Sequence, residues 1–317
     1  MYFVGVDVGG TNLAAGLVDR KGGVRSRVKR RTDCTMTDLQ LCMELVSLAR
    51  EAAEKGNAAP EEIEAVGFGI PGRVDAAGGT VLFTPNMPFR DTGLRDIFRR
   101  EWDVPVFLNN DANCAAAGEY LAGAARGCRS VLMITLGTGI GGGFINEGRL
   151  YTGAHGSAME IGHMVIETGG LPCGCGGRGC WEQYASATAL IRLTREEMAR
   201  DGSGLIRELC GGDPEKVTGR TAFEAARLGD PAARRVLDTY LCNLSAGLVS
   251  LIRILEPEVI CLGGGVSGAE DDLLLDPLRR RLDTAFGGEM PAKLIKADLG
   301  GDAGIVGAAL LCAGTAG

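Results

Sequence analysis

Both histidines of the chain, three of its eleven cysteines and three glutamates (Glu160, Glu167, Glu182) crowd into residues 155–182, HGSAMEIGHMVIETGGLPCGCGGRGCWE. Cys173, Cys175 and Cys180 form a C-x-C-G-x-x-G-C loop, with His163 ten residues upstream. One His and three Cys make a closed tetrahedral set of the kind structural zinc takes. Gly174, Gly176, Gly177 and Gly179 let so short a loop turn back on itself. Glu160 stands three residues before His163, the spacing that shares one face of a helical turn. Glu182 follows the last cysteine by two. A metal there is expected to hold Glu160 and Glu182 near the outer nitrogen of His163, two acceptors and a donor suited to a polyhydroxylated ligand. The other cysteines (34, 42, 114, 128, 210, 242, 261 and 312) are isolated, and most sit among apolar neighbours like ordinary buried thiols.

With 317 residues, the chain has room for two domains. A net charge of −7 and the lack of a basic tract argue against a nucleic-acid partner. No apolar run reaches the roughly 18 residues that span a bilayer. The start, MYFVGVDVGG, does not read as a signal peptide, and the odd cysteine count suits a reducing compartment, so the cytoplasm is expected. Fifty glycines without a collagen period point to many tight turns and close backbone approaches.

Residues 2–8, YFVGVDV, and 13–19, LAAGLVD, read as strands joined through Gly9-Gly10-Thr11-Asn12. Asp7, Thr11 and Asn12 then stand at a tip whose successive N–H groups can hold an anion. Residues 130–150 repeat the arrangement, with Gly137, Thr138 and Gly139 at the tip. Their G-x-G-x-x-G spacing matches a dinucleotide fingerprint, but the strand-like Phe144-Ile145-Asn146 follows where that site needs a helix. Two such hairpins suggest two related halves facing one another.

Thr37-Asp38-Leu39-Gln40 is a capping box, opening a helix to about Glu54 with Leu39, Met43, Val46 and Ala53 on one face. Strands are expected at 65–70, before Pro71-Gly72, and at 104–109. Asn110-Asp111 follows the second, ahead of an Ala-rich segment, where a ligand residue or a plain N-cap both fit. Residues 185–240 read as helical, and Pro231 opens a long helix with Val236, Tyr240, Leu244, Leu248 and Leu251 on one stripe. EVICLGGGVSG (258–268) runs a strand into Gly263, Gly264 and Gly265, a third candidate ligand loop. With no visible linker, the expected domains are 1–115, with a C-terminal helix at about 302–317 packing back on it, and a larger 116–301.

Together these motifs resemble the ROK family of sugar kinases and repressors, nearly end to end. Asp7-x-Gly9-Gly10-Thr11 and Leu136-Gly-Thr-Gly-Ile-Gly-Gly-Gly143 resemble its two phosphate motifs, and Gly263-Gly264-Gly265 its adenosine loop. Glu160-Ile-Gly-His163 and the cysteine loop resemble its signature and zinc site. The resemblance implies the duplicated actin–hexokinase (ribonuclease H-like) ATPase fold, an α/β fold of two domains around a cleft.

It also implies roles. Asp111 is the general base; Gly72, Asn110, Asp111, Glu160, His163 and Glu182 bind sugar. Asp7, Gly9, Gly10, Thr11, Asn12, Gly137, Thr138, Gly139, Gly264 and Gly265 serve ATP and Mg²⁺. His163, Cys173, Cys175 and Cys180 hold structural Zn²⁺. An Asp near its reference pKa of about 3.9 is ionised at pH 7 and available as a base. The implied activity is ATP-dependent phosphorylation of a hexose 6-hydroxyl, most readily that of glucose. The alternatives are N-acetylglucosamine, N-acetylmannosamine, mannose or fructose, or a non-catalytic sugar sensor. A homodimer or homotetramer is expected. The first phosphate motif begins at residue 7, so the DNA-binding extension of family repressors is not expected. Met159 and Trp181 depart from the family pattern on either side of sugar contacts.

Overall fold

The computed structural model describes residues 1–201 and 204–314. By contacts the chain divides into one unit of residues 1–133, 143–159 and 297–317 and a second of 134–142 and 160–296. Among the described residues, no helix is long and apolar enough to cross a membrane.

The first unit begins with β1 (Tyr2–Val8), β2 (Asn12–Asp19), β3 (Val24–Arg31) and α1 (Asp38–Lys55). It continues with β4 (Ile63–Ile70), β5 (Arg73–Asp75), β6 (Thr80–Phe83), β7 (Arg90–Thr92), α2 (Leu94–Glu101), β8 (Val106–Asn110) and α3 (Asp111–Ala122). β9 (Ser130–Leu136) and β10 (Ile140–Asn146) carry the chain into the second unit and back, before β11 (Arg149–Leu150). The second unit then holds α4 (Glu182–Ala185), α5 (Ala187–Asp201), α6 (Leu205–Leu209), α7 (Thr221–Arg227), α8 (Pro231–Leu255), β12 (Val259–Gly263), α9 (Leu275–Ala285) and β13 (Lys293–Lys296). α10 (Ala303–Cys312) returns to the first unit; residues 315–317 of the expected terminal helix lie outside the described residues.

One five-stranded sheet runs β3-β2-β1-β4-β8 and another β11-β10-β9-β12-β13; β5, β6 and β7 form a small third sheet. In the first, β3, β2 and β1 pair antiparallel, then β1, β4 and β8 parallel. The second repeats that order with a glycine-tipped hairpin at the corresponding place, a duplication visible in the chain's own topology. Gly142 lies inside β10, where a dinucleotide site needs a helix, which excludes the dinucleotide reading.

β1 and β4 carry Gly5 and Gly67 side by side in register. A Cβ on either would stand 1.9 Å from a carbonyl of α10, Ile305 O or Ala308 O. Only glycine lets the helix backbone lie directly on the sheet.

α1 begins at the capping box: Gln40 N–H donates to Thr37 Oγ1, and Gln40 Oε1 accepts from Thr37 N–H. Its buried face is Leu41, Cys42, Leu45, Val46, Leu48, Ala49, Ala52 and Ala53, whereas Leu39 and Met43 are exposed. The expected stripe was rotated because two apolar rows compete on this helix, and packing on the sheet selects the fuller one. In α8 the expected stripe is buried throughout, beneath an N-cap at Asp230. The eight isolated cysteines are mixed: Cys42, Cys114, Cys210 and Cys261 are buried, Cys128 and Cys312 intermediate, and Cys34 and Cys242 exposed.

β3 was not anticipated. Its sequence, VRSRVKRR, buries Ser26 and Val28 and exposes Arg25, Arg27, Lys29 and Arg31. Neighbouring acids pair much of this charge: Asp19 with Arg25, Asp302 with Arg27, and Glu44 and Glu51 with Arg30.

Candidate active site

In the first unit, the carboxylates of Asp7 and Asp111 lie close enough for one charge to act on the other. Asp7 lies one residue before the end of β1, level with Gly69 of β4. Asp111 is the first residue of α3. The cap of α3 is Asn110, whose Oδ1 accepts the N–H groups of Ala112 (3.0 Å) and Asn113 (3.2 Å). Capping is therefore done by Asn110, and the plain N-cap reading of Asp111 falls away. Asn110 also donates through Nδ2 to Gly72 O at 3.3 Å, tying the cap to the turn after β4. Gly72 has φ +91°, and a Cβ there would meet Phe83 O at 2.4 Å.

Burial, and then the charge of Asp111, raise Asp7 from its ordinary 3.8 to about 7. Burial also raises Asp111, against N–H donation from Ala112 and its own amide, so the reference value expected from sequence does not hold. Two desolvated carboxylates that repel each other form a donor set that a cation would relieve. The turn at Gly9–Thr11 closes through Gly9 N–H on Asn12 O at 2.9 Å. A cavity of about 490 Å³ beside it is lined by Gly10, Thr11, Arg31, Thr32, Asp33 and Cys34. Arg31, missed from sequence, comes from β3, where it pairs with Asn12.

In the second unit, His163, Cys173, Cys175 and Cys180 bring their ligand atoms within 4.8 Å of one another. His163 Nδ1 lies 3.6 Å from Cys173 Sγ, and Cys175 Sγ lies 3.6 Å from Cys180 Sγ. Bonds of about 2.3 Å at a tetrahedral angle put sulfurs about 3.7 Å apart. The spacing fits such an ion. Burial raises the Cys173 and Cys180 thiols, while the Gly177 N–H lowers Cys175. With Nδ1 toward the sulfurs, Nε2 of His163 is left for another partner. The loop closes through Cys173 N–H on Gly177 O and Gly176 N–H on Cys173 O.

The turn before it forms as expected, with His163 N–H donating to Glu160 O at 3.0 Å. Glu182 opens α4 and accepts at Oε1 from Cys173 Sγ at 3.2 Å. Trp181 turns away from this carboxylate into the core. It is fully buried, donates through Nε1 to Asn243 O at 2.9 Å, and packs on Gly247 of α8. The departure at Trp181 therefore anchors α4 against α8. Met159, the other departure, takes a left-handed φ of +66°.

The tip between β9 and β10 is held by α5: Ala187 N–H donates to Gly137 O and Thr188 Oγ1 to Thr138 O. Gly264, with φ +83°, packs on the backbone of Leu136, where that tip begins. Gly265 lines a cavity of about 340 Å³ with Arg220, Phe223, Arg227, Val266 and Glu270. The residues from α7 were not legible in sequence because no local motif marks them.

The ROK family profile matches residues 3–315. Glucokinase of Streptomyces coelicolor is 40% identical over 314 residues, covering 96% of this chain and 96% of that protein. Glucokinase of Thermotoga maritima is 38% identical over 315 residues, covering 98% and 96%. A ROK family glucokinase from Streptomyces griseus, crystallised with glucose and AMPPNP, superposes with a TM-score of 0.86 at 39% identity, covering 98% of this chain and 99% of that one. The duplicated topology is thus the actin–hexokinase fold expected from the motifs. Matched along almost its whole length, the chain belongs to the ROK family.

Proposed function

We propose that the protein is an ATP:hexose 6-phosphotransferase and that its hexose is glucose. The observation that carries the reading is Asp111: half-buried, with the N-cap position taken by Asn110, and with its carboxyl held above the ordinary value by burial. The identity to glucokinases from two genera supports the choice of sugar.

Asp111 accepts the proton of the 6-hydroxyl as that oxygen attacks the γ-phosphorus in line, and ADP leaves. Phosphoryl transfer asks the protein mainly to position groups and neutralise charge. N–H groups at Gly9–Asn12 and Gly137–Gly139 hold the phosphates. The cavity at Gly265, next to Gly264, takes the adenosine, with Phe223 as apolar surface and Arg220 and Arg227 in its lining. Asp7 would face the Mg²⁺ brought by ATP, which would supply neutralisation of phosphate charge. Glu160, Glu182, Nε2 of His163 and the Gly72–Asn110 pair hold the other sugar hydroxyls. His163, Cys173, Cys175 and Cys180 would hold a structural Zn²⁺, which would keep this segment in shape without taking part in the transfer. The domains proposed remain 1–115 with the terminal helix at about 302–317, and 116–301. Eleven free cysteines suit the cytoplasm. The family resemblance implies a homodimer or homotetramer, which size-exclusion chromatography reads directly.

The test is a coupled ADP-release assay with Mg·ATP and a panel of glucose, mannose, fructose, N-acetylglucosamine and N-acetylmannosamine. The expected result is the highest kcat/KM with glucose. Preference for another hexose overturns the choice of sugar. Sugar binding without turnover on the whole panel overturns the kinase reading in favour of a sensor.

A further inference from the structure

Glu119, in the last turn of α3, is fully buried and takes no part in the transfer described above. Its carboxylate accepts three backbone N–H groups: Ala124 at 2.9 Å and Asp298 at 3.1 Å on Oε2, and Leu299 at 2.8 Å on Oε1. Gly123 leaves the room, since a Cβ there would stand 2.1 Å from Oε2. Asp298 and Leu299 lie 179 and 180 positions away, at the entrance to α10. The carboxylate therefore joins the C-terminal end of α3 to the N-terminal approach of α10.

The two helices touch backbone to backbone. A Cβ at Gly307 would lie 1.6 Å from Cys114 O, and one at Gly118 would lie 2.3 Å from Ala303 O. α10 lies equally close to β1 through Gly5. At its first turn Gly304 abuts the carboxylate of Asp7, where a Cβ would stand 2.8 Å from Cγ. α10 thus packs on both the helix that begins with Asp111 and the strand that carries Asp7, alongside the direct packing of Asp111 on Gly69 of β4. Glycine and alanine surfaces offer few interdigitating side chains to resist sliding along the axis. Hydrogen bonds from a buried charged group have fixed length and direction, and are strong enough to set that register.

We infer that Glu119 is a positioning residue for phosphoryl transfer: it locks α10 in register on α3 and so sets the separation of Asp7 and Asp111. The inference rests on the kinase reading, and on Asp111 as its base. Displacements of the order of 1 Å at such a distance cost about 10²-fold in rate.

Three variants test it. Glu119→Gln keeps the shape but turns an N–H donor toward N–H donors. Glu119→Asp keeps the charge but is one methylene too short to reach Asp298 and Leu299. Leu299→Pro removes one donor from the far side, at a backbone φ of −75° that proline accepts. The expected result is a fall in kcat per folded molecule of about 10–100-fold in all three, with the KM values for sugar and ATP within about threefold of the parent. Combining Glu119→Gln with Leu299→Pro should cost no more than the worse single change, because both break one contact. A lower melting temperature with unchanged kcat in the folded fraction overturns the inference and leaves Glu119 as a purely structural brace. Parent-like kcat in Glu119→Asp with loss in Glu119→Gln overturns it in favour of a charge effect. If Glu119→Gln does not fold, Leu299→Pro and Glu119→Asp decide by the same kcat criterion. Failure of the kinase reading shows separately, as an inactive parent.

Discussion

The backbone of Gly139 lies against the carboxylate of Glu182: a Cβ at residue 139 would stand 2.6 Å from Glu182 Oε2. The tip proposed to hold phosphate and the acid proposed to hold sugar in the second unit therefore share one contact. At Gly10, the corresponding tip of the first unit, the nearest atom to an added Cβ is Asn86 Cβ at 3.8 Å. Valine at the two tips should act differently. Gly10→Val is expected to raise the ATP KM at least tenfold while equilibrium sugar binding without nucleotide stays near the parent value. Gly139→Val should weaken both ligands, because it displaces Glu182. Titration calorimetry with glucose alone separates the cases; intact glucose affinity in Gly139→Val would remove Glu182 from the sugar site.

Asp111→Asn keeps shape and leaves the helix cap on Asn110 intact. Removing a general base typically costs about 10²–10⁴-fold. The variant is expected to lose that much kcat with a melting temperature at or above the parent's and sugar affinity within a few-fold. Steady-state kinetics beside calorimetry check this, and turnover near the parent rate would return the base role to another group.

Asp7 carries a folded-state pKa of about 7 against an ordinary 3.8, so the folded protein holds a proton that the unfolded chain has lost between those values. Its contribution to stability is complete below about pH 4 and declines as pH rises through 7. Asp7→Asn should therefore stabilise the metal-free, nucleotide-free protein at pH 8, by up to about 4 kcal/mol, and change little at pH 4. The same variant should lose activity with Mg·ATP. Thermal melts across pH give the sign, and equal shifts at both pH values would contradict the raised pKa.

Cys175→Ala opens the four-ligand cluster while Trp181 and Tyr184 still brace the segment through Asn243 O and Leu171 N–H. Elemental analysis should find about one zinc per chain in the parent and far less in the variant. The sugar KM is expected to rise at least tenfold. The ATP KM should rise less, through the contact of Glu182 with Gly139 alone. A folded, zinc-depleted variant with an unchanged sugar KM would falsify the coupling of metal to sugar.

Contiguous features were legible in the chain because their cause is local. The tips at Gly9–Thr11 and Gly137–Gly139 need glycine where the backbone turns between strands. The capping box at Thr37 and the stripe on α8 follow from helical spacing. The Cys-x-Cys loop carries its ligand spacing in a few residues. β3 was legible in principle, since Ser26 and Val28 alternate with cations, but its charge masked the period.

From the sequence alone came the duplicated hairpins, the grouping of His163 with Cys173, Cys175 and Cys180, and the family. Tertiary packing decided which apolar row of α1 faces the sheet, since Leu39–Met43 and Leu41–Leu45 obey the same helical period and only the sheet chooses between them. It decided that Asn110 rather than Asp111 caps α3, a choice made by backbone angle and not by residue type, since both are good caps. It turned Trp181 into the space left by Gly247, sixty-six positions away, and joined Glu119 to two amides near the far end of the chain. It also raised the pKa values of Asp7 and Asp111, because desolvation depends on everything that surrounds a carboxylate.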